Sequence, residues 1–384
     1  MNFFSSEFKL GILGGGQLGK MMLTETRKFD IFTKVLDPSP EAPCKIASND
    51  FHVGDLMDYE TVVSFGKDVD VLTFEIENVN TDALETLEKQ GVKVFPSSKT
   101  LRTIQNKAKQ KLFYRDHEIP TADFTRFAYT SEIEDAVNNG GLEFPFVWKS
   151  AQFGYDGNGV KVVRSLADLE NLPNVECIAE KMIPFKNELA VIVARNVDGD
   201  IKTYPVVEME FHPEANQVEY VICPARIDDS VAEKAQKIAL QTSRAFNHVG
   251  LLAVEMFQTQ NDEILVNEVA PRPHNSGHQT IEASYTSQFE QHIRAILNLP
   301  LGKTDSKVGG IMVNLVGAEG YTGHVMYESI EDIMKMEGVT PHIYGKKQTR
   351  PFRKMGHVTI VHEDINEARQ IAEHVKKTIK VISE

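Results

Sequence analysis

Two acids stand in otherwise apolar runs, Glu255 in LLAVEMF and Glu268 in VNEVA, thirteen residues apart. The turn signal Asn261-Asp262 lies between the runs, so they read as a hairpin. Acids on adjacent buried strands repel each other and lose hydration. A shared divalent cation would offset that cost. Mg²⁺, or Mn²⁺ in its place, suits the pair, because Mg²⁺ takes one or two carboxylates plus substrate phosphates. Pro271-Arg272-Pro273 then stiffens the chain, and His274, Asn275, Ser276 and His278 follow with no apolar side chain among them. The segment from Val266 to His278 therefore reads as the metal and substrate centre of a nucleotide-using enzyme. His274 and His278 are four apart, but the prolines, Ser276 and Gly277 oppose a helix there. Polar substrate contact is thus preferred to zinc ligation.

Two glycine clusters bear on phosphates. The second, Phe153-Gly154-Tyr155-Asp156-Gly157-Asn158-Gly159, lies between two strand-like runs just after Lys149. Glycines let backbone N–H groups approach phosphate oxygens, and a strand-end lysine adds a fixed positive charge. No Gly-Lys-Ser/Thr ends the loop, so it is not a Walker A loop. The first cluster, Gly14 to Gly19, matches GxGxxG, with Asp37 eighteen residues on. That is a dinucleotide spacing, but a tight strand-to-helix turn without NAD explains it as well. Glu180-Lys181-Met182-Ile183, with Glu188 beyond, could offer a strand edge to adenine and a carboxylate to ribose. Arg350, Arg353 and Lys354 form a basic cluster that could take a phosphate, or else lie solvated.

These residues need elements to hold them. Strand-like runs at Lys9–Leu13, Phe32–Asp37, Val69–Phe74 and Val92–Phe95 alternate with helical stretches, which predicts a parallel α/β sheet through about residue 100. After about residue 125, short runs with Gly- and Asn-rich turns predict antiparallel strands at 144–149, 160–163, 177–180, 189–193 and 203–207. Helices are expected over 231–246, ended by Gly250, and over 281–298, with Tyr285, Phe289, Ile293 and Ile296 on one stripe. A smaller α/β tail follows from about residue 305.

Composition bounds the function. With 384 residues, 41% of them hydrophobic and 25% charged, the chain should hold two or three subdomains. A net charge of −14 argues against nucleic acid or an anionic membrane as partner. The three cysteines, Cys44, Cys177 and Cys223, are far apart, which fits a reducing compartment. With no secretory signal and no run long enough to span a membrane, a cytoplasmic protein is expected.

Taken together, GILGGGQLGKM, FEIENV, FGYDGNG, AEKMI, VNEVAPRPHNSGHQTIEAS and RKMGH resemble the ATP-grasp superfamily. Within it they most resemble the N5-carboxyaminoimidazole ribonucleotide synthetase family of bacterial purine synthesis. The resemblance implies an α/β and α+β fold in three parts. These are a Rossmann-like N-terminal domain (1–105), a central ATP-grasp module (106–300) of two antiparallel sheets with helices and a lid at about 125–188, and a small C-terminal domain (301–384). It implies that Lys107, Lys149, the loop from Gly154 through Tyr155, Asp156, Gly157, Asn158 and Gly159 to Val160, Glu180, Lys181, Met182, Ile183, Glu188, His212, Asn267 and Glu268 line ATP. Glu255 and Glu268 then hold Mg²⁺. Such enzymes form carboxyphosphate from ATP and bicarbonate, and the amine of aminoimidazole ribonucleotide captures the carboxyl group. Relatives suggest a homodimer.

Within that frame Arg272 is the candidate to steady the transferring group, Asp156 to handle the amine proton, and Lys354 to act beside them. Gln17, Glu75, His274, Asn275, Ser276, Arg353 and Lys354 are the candidates for ribonucleotide contact. Asn158 occupies a slot that is basic in the family, and Lys107 one where arginine is usual. Three other readings compete. An NAD-dependent oxidoreductase leaves the acid pair unexplained. A nucleotide-binding subunit without turnover is opposed by Lys149, Glu255, Glu268 and Arg272. A formate-dependent glycinamide ribonucleotide transformylase is the alternative within the superfamily.

Overall fold

The computed structural model describes residues 3–152, 159–212 and 217–384. β1 (Lys9–Leu13), β2 (Phe32–Asp37), β3 (Asp50–Val53), β4 (Val71–Phe74) and β5 (Lys93–Val94) form a parallel sheet in the order β3-β2-β1-β4-β5. The chain leaves β1 through the first glycine cluster into the helix Gln17–Lys28. That helix buries Leu18, Met21, Met22 and Leu23 against the sheet, the spacing its sequence shows. β3 went unread because its four residues form a half-exposed edge without an apolar run.

β6 (Phe124–Phe127), β7 (Phe146–Ser150), β8 (Val160–Val163) and β9 (Cys177–Lys181) form an antiparallel sheet in the order β6-β9-β7-β8. Phe146, Trp148, Ile133 and Cys177 make its core.

β10 (Phe185–Arg195), β11 (Ile201–Thr203), β12 (Val207–Phe211), β13 (Val218–Cys223), β14 (Gly250–Thr259), β15 (Ile264–Ala270) and β16 (Gly309–Val316) come next, then β17 (Gly323–Glu328), β18 (Val339–Ile343), β19 (Gln348–Thr349), β20 (Lys354–His362) and β21 (Lys380–Ser383). A nine-stranded sheet runs β15-β14-β10-β12-β13-β16-β20-β18, with β11 paired to β10. β17, β19 and β21 form a three-stranded sheet. The C-terminal strands β16, β20 and β18 thus extend the central sheet through the β13–β16 pairing. The expected boundary at residue 300 falls within one continuous sheet.

β10 from Leu189 to Ala194 and β14 from Leu251 to Val254 are wholly apolar because helices cover both faces. The helix Asp229–Phe246 packs on Leu189, Val191, Leu252 and Val254. The helix Gln288–Ile296 brings Ala295 onto Ile192, Leu251 and Ala253.

Three expectations need correction. The run 203–207 is not one strand; β11 ends at Thr203 and β12 begins at Val207, with Pro205, which has no N–H to give a ladder, in the gap. The helix ending at Phe246 is stopped by Asn247 in the left-handed conformation (φ 48°), and Gly250 already opens β14. The expected helix 281–298 is two helices, Thr280–Ala283 and Gln288–Ile296. Ser287 caps the second by accepting from the Glu290 N–H, and Tyr285, expected on the buried stripe, is 57% exposed. Among the described residues no helix is long and apolar enough to cross a membrane.

Candidate active site

The acid pair forms as the hairpin predicts. Glu255 on β14 and Glu268 on β15 are direct cross-strand partners, with a register shift immediately after Glu255. Their surroundings push the two carboxyls apart. Burial, with Glu268 and Glu188 nearby, raises Glu255 well above the ordinary carboxylate range. The Lys107 ammonium holds Glu268 well below it. Lys107 bonds directly to Glu268 Oε2, and His274 Nε2 lies 3.2 Å from Glu255 Oε1. Among the described residues no three His, Cys, Asp or Glu side chains gather as a metal cluster. The pair is a two-carboxylate donor set.

A second charged group adjoins the first. Lys149, on β7, donates to Asn267 Oδ1 at 2.9 Å and pairs with Glu180 Oε2 at 2.5 Å. The other Glu180 oxygen takes Lys111. Burial opposes ionisation of Glu180, but the two lysines outweigh it and lower its pKa. Lys111 itself is pulled down to about 8, chiefly by burial. Burial raises Glu188, on β10, to about 7, with Lys149 and Glu268 within electrostatic reach. β9 and the linker after it expose Lys181 and Met182, with Phe185 stacked on Phe257 at 4.8 Å beside them. Asn187, Glu188, Glu210 and His212 border a cleft of about 350 Å³ along β10 and β12. Thus Lys107, Lys149, Glu180, Glu188, Glu255, Asn267, Glu268 and His274 converge, while His212 marks the far end of the cleft. Gly159 accepts the Ser150 N–H at 2.9 Å, and Val160 pairs with Lys149. Gly154, Tyr155, Asp156, Gly157 and Asn158 lie outside the described residues.

The loop from His274 to His278 is held by hydrogen bonds to its own and neighbouring side chains. Gln288 clamps the His274 backbone, accepting from its N–H at 2.8 Å and donating to its carbonyl at 2.7 Å. Ser276 Oγ bonds His274 Nδ1 at 2.9 Å, and Ser276 is buried. Asn275 keeps a buried Nδ2 without a hydrogen-bond partner among the described residues. No helix carries His274 and His278; a single 3₁₀ turn, Asn275–Gly277, lies between them. His278 is buried in a ring column with His357 and His342, at centroid spacings of 4.5 and 4.4 Å. That column ties the loop to β20 and β18. Lys354, at the start of β20, lies near enough to act on both Glu255 and His278. Arg353 donates to the Gln348 carbonyl at 2.5 Å.

The first glycine cluster has a different use from a dinucleotide site. Glu75 accepts the N–H groups of Gly16, Leu18 and Gly19 at 2.9 to 3.1 Å, and Asp37 accepts that of Gly15 at 2.7 Å. The amides that would hold a pyrophosphate are bonded to the protein's own carboxylates, which leaves the NAD reading without its anchor. Glu75, expected on the ribonucleotide, is buried with both oxygens engaged by the turn. Gln17 opens the helix beside it.

Two residues were missed. Glu77, in FEIENV, lies 2.8 Å from Arg272 Nε and joins the N-terminal domain to the segment 271–278. Lys111 lies one helical turn after Lys107 on the helix Lys107–Asp116. That i, i+4 spacing was a visible signal, but a lysine is read as exposed by default.

Comparison with known proteins follows the same layout. The ribonucleotide synthetase preATP-grasp domain family matches residues 8–105, the ATP-grasp domain family residues 112–289, and the phosphoribosylaminoimidazole carboxylase C-terminal domain family residues 310–371. The chain is 38% identical over 362 residues to N5-carboxyaminoimidazole ribonucleotide synthase of Bacillus subtilis, covering 93% of this chain and 92% of that one. It is similar to the crystal structure of N5-carboxyaminoimidazole ribonucleotide synthetase from Thermotoga maritima, at 42% identity and a TM-score of 0.90, over 98% of this chain and 100% of that one. It is similar also to N5-carboxyaminoimidazole synthase from Aspergillus clavatus in complex with ADP and 5-aminoimidazole ribonucleotide, at 35% identity and a TM-score of 0.88, over 97% and 98% of the two chains. With its three consecutive domains matched and its length aligned end to end, the chain belongs to the N5-carboxyaminoimidazole ribonucleotide synthase family of ATP-grasp ligases.

Proposed function

We propose that the chain carboxylates the exocyclic amine of 5-aminoimidazole ribonucleotide, using ATP and bicarbonate and releasing ADP and phosphate. The observation that carries this is the juxtaposition of Glu255–Glu268 and Lys149–Glu180 with the His274–Ser276 loop. It supports reading a phosphate-handling centre beside a polar acceptor site. Phosphoryl transfer requires positioning and charge neutralisation more than covalent chemistry. Lys149 supplies one fixed cation to the phosphates, and Lys107 another. Glu180 through Ile183, Glu188 and His212 receive the adenosine part along the cleft.

A divalent ion fits the donor set. Two adjacent carboxylates, one of them disfavoured as an anion by burial and by the other's charge, would suit Mg²⁺, which takes one or two carboxylates plus substrate phosphates. Glu255 and Glu268 would hold it, with Mn²⁺ able to substitute, and when bound it neutralises phosphate oxygens. Arg272, held by Glu77, steadies the carboxyphosphate formed when bicarbonate attacks the γ-phosphorus. Carboxyphosphate breaks down to phosphate and CO₂, the ribonucleotide amine bonds the CO₂ carbon, and Asp156 takes the amine proton. His274, Asn275, Ser276, Arg353 and Lys354 bind the ribonucleotide, with Gln17 at its N-terminal-domain side and Glu75 behind it holding the glycine turn. Buried free cysteines suit a cytoplasmic enzyme, and we take it to act as a homodimer.

The test is ADP formation with each acid and amine in turn. The rate in degassed buffer should collapse and return with bicarbonate, and only when aminoimidazole ribonucleotide is present. Faster turnover with formate and glycinamide ribonucleotide would refute the assignment.

A further inference from the structure

Lys111 is fully enclosed. Its side chain and that of Glu180 are each 3% exposed. Its ammonium bonds Glu180 Oε1 and Thr121 Oγ1, at 2.5 Å for the latter. Thr121 Oγ1 passes its own hydrogen to the Val266 carbonyl at 2.6 Å, on the strand that carries Asn267 and Glu268. Lys111 therefore has no face toward a ligand. Its partner Glu180 does the linking, with one oxygen on Lys111 and the other 2.5 Å from Lys149.

The consequence concerns Lys149. An ammonium has three donors. Asn267 accepts one of them at 2.9 Å, and Glu180 Oε2 lies in ion-pair contact with the ammonium at 2.5 Å. A buried carboxylate facing Lys149 alone would pair with it as a closed unit, because an uncompensated buried charge is costly. Its attraction would then compete with any phosphate for the same cation. Lys111 prevents this by neutralising Glu180 from behind. Glu180 can then aim Lys149 without consuming its charge.

We propose that Lys111 is a positioning residue of the nucleotide site, acting through Glu180 to keep Lys149 available to ATP phosphate. This rests on the reading of Lys149 as a phosphate ligand. The experiment is a double-mutant cycle on the full-length chain: wild type, Lys111→Met, Glu180→Gln and both together. ATP binding with Mg²⁺ is measured by calorimetry, KM for ATP and for the ribonucleotide by kinetics, and folding by thermal melting. Lys111→Met should weaken ATP binding by about tenfold or more, the scale of one charge-assisted hydrogen bond, while the ribonucleotide KM stays within about twofold. In the double variant no carboxylate remains to capture Lys149. It should bind ATP at least about fivefold tighter than the product of the single losses predicts, since contacting groups couple. Additive losses, or a Lys111→Met variant that binds ATP as wild type does, would overturn the inference. If Lys111→Met does not fold, the charge-balanced double variant should fold and bind ATP; its failure to fold would make the pair merely structural and also overturn it. Absence of ATP binding by the wild type would instead strike the proposed function itself.

Discussion

Replacing Glu77 by Gln tests how the N-terminal domain contributes to chemistry it does not house. The substitution keeps the shape of the side chain and removes its charge. In the wild type Glu77 Oε2 lies 2.8 Å from Arg272 Nε, and the two side chains are 28% and 19% exposed. This is a partly buried, charge-assisted contact, worth about 1.5 to 3 kcal/mol. If that energy fixes the guanidinium where the transferring group needs it, its loss appears as about a 10- to 150-fold fall in kcat/KM for the ribonucleotide. The amide keeps a carbonyl dipole toward the guanidinium, so the lower end of that range is expected. ATP binding should change by less than about twofold, because Arg272 is assigned to the transferring group while Lys107 and Lys149 are assigned to the ATP phosphates. The assay is steady-state ADP release with ribonucleotide varied at saturating ATP and bicarbonate, alongside calorimetric titration of ATP. A kcat/KM within twofold of wild type would refute the reasoning and return the pair to a plain interdomain ion bridge. An equal loss of ATP affinity would show that Glu77 supports the whole cleft instead.

Other perturbations give equally definite outcomes. Glu268→Gln should cut turnover by orders of magnitude; it should also lower the melting temperature without nucleotide, since Lys107 loses its ion-pair partner. An unchanged or raised melting temperature would mean that repulsion from Glu255 dominates the pair. Lys354→Ala should raise the ribonucleotide KM by about 10- to 150-fold with the KM for ATP nearly unchanged, and the effect should shrink with the dephosphorylated nucleoside. An equal loss with both substrates would place Lys354 on the chemistry. Glu188 is raised to about 7 by burial, so the fold prefers its neutral form. Its contribution to stability is full below its unfolded value and is lost as pH rises through about 7. Glu188→Gln removes that titration, so the variant should gain in melting temperature relative to wild type between about pH 5 and 8; parallel pH profiles would contradict the shift.

Much of this arrangement was legible because local rules fixed it. The Glu255–Glu268 pairing follows from a hairpin whose turn lies at Asn261-Asp262, and the strand alternation of the N-terminal sheet follows from apolar runs. Legibility failed where long-range contacts decide. Glu75 and Glu77 are two residues apart in one motif, yet one accepts helix amides and the other meets Arg272 nearly two hundred residues on. No periodicity distinguishes them. Lys111 looks like a surface lysine until Glu180 and Thr121 arrive from other elements. The break at Tyr285 was hidden because apolar spacing continues across it, while the Ser287 cap that starts the next helix reads as an ordinary serine. The C-terminal strands join the central sheet by pairing β13 with β16, a register between segments that sequence spacing does not connect.

The decisive measurement is the fate of bicarbonate oxygen. Bicarbonate labelled with ¹⁸O is supplied with ATP and aminoimidazole ribonucleotide, and the released phosphate is analysed by mass spectrometry. If ATP phosphorylates bicarbonate at the Lys149, Glu255 and Glu268 centre, each phosphate released should carry one ¹⁸O. Phosphate free of label, formed at the same rate as the carboxylated product, would mean that bicarbonate is never phosphorylated and would contradict the proposed reaction.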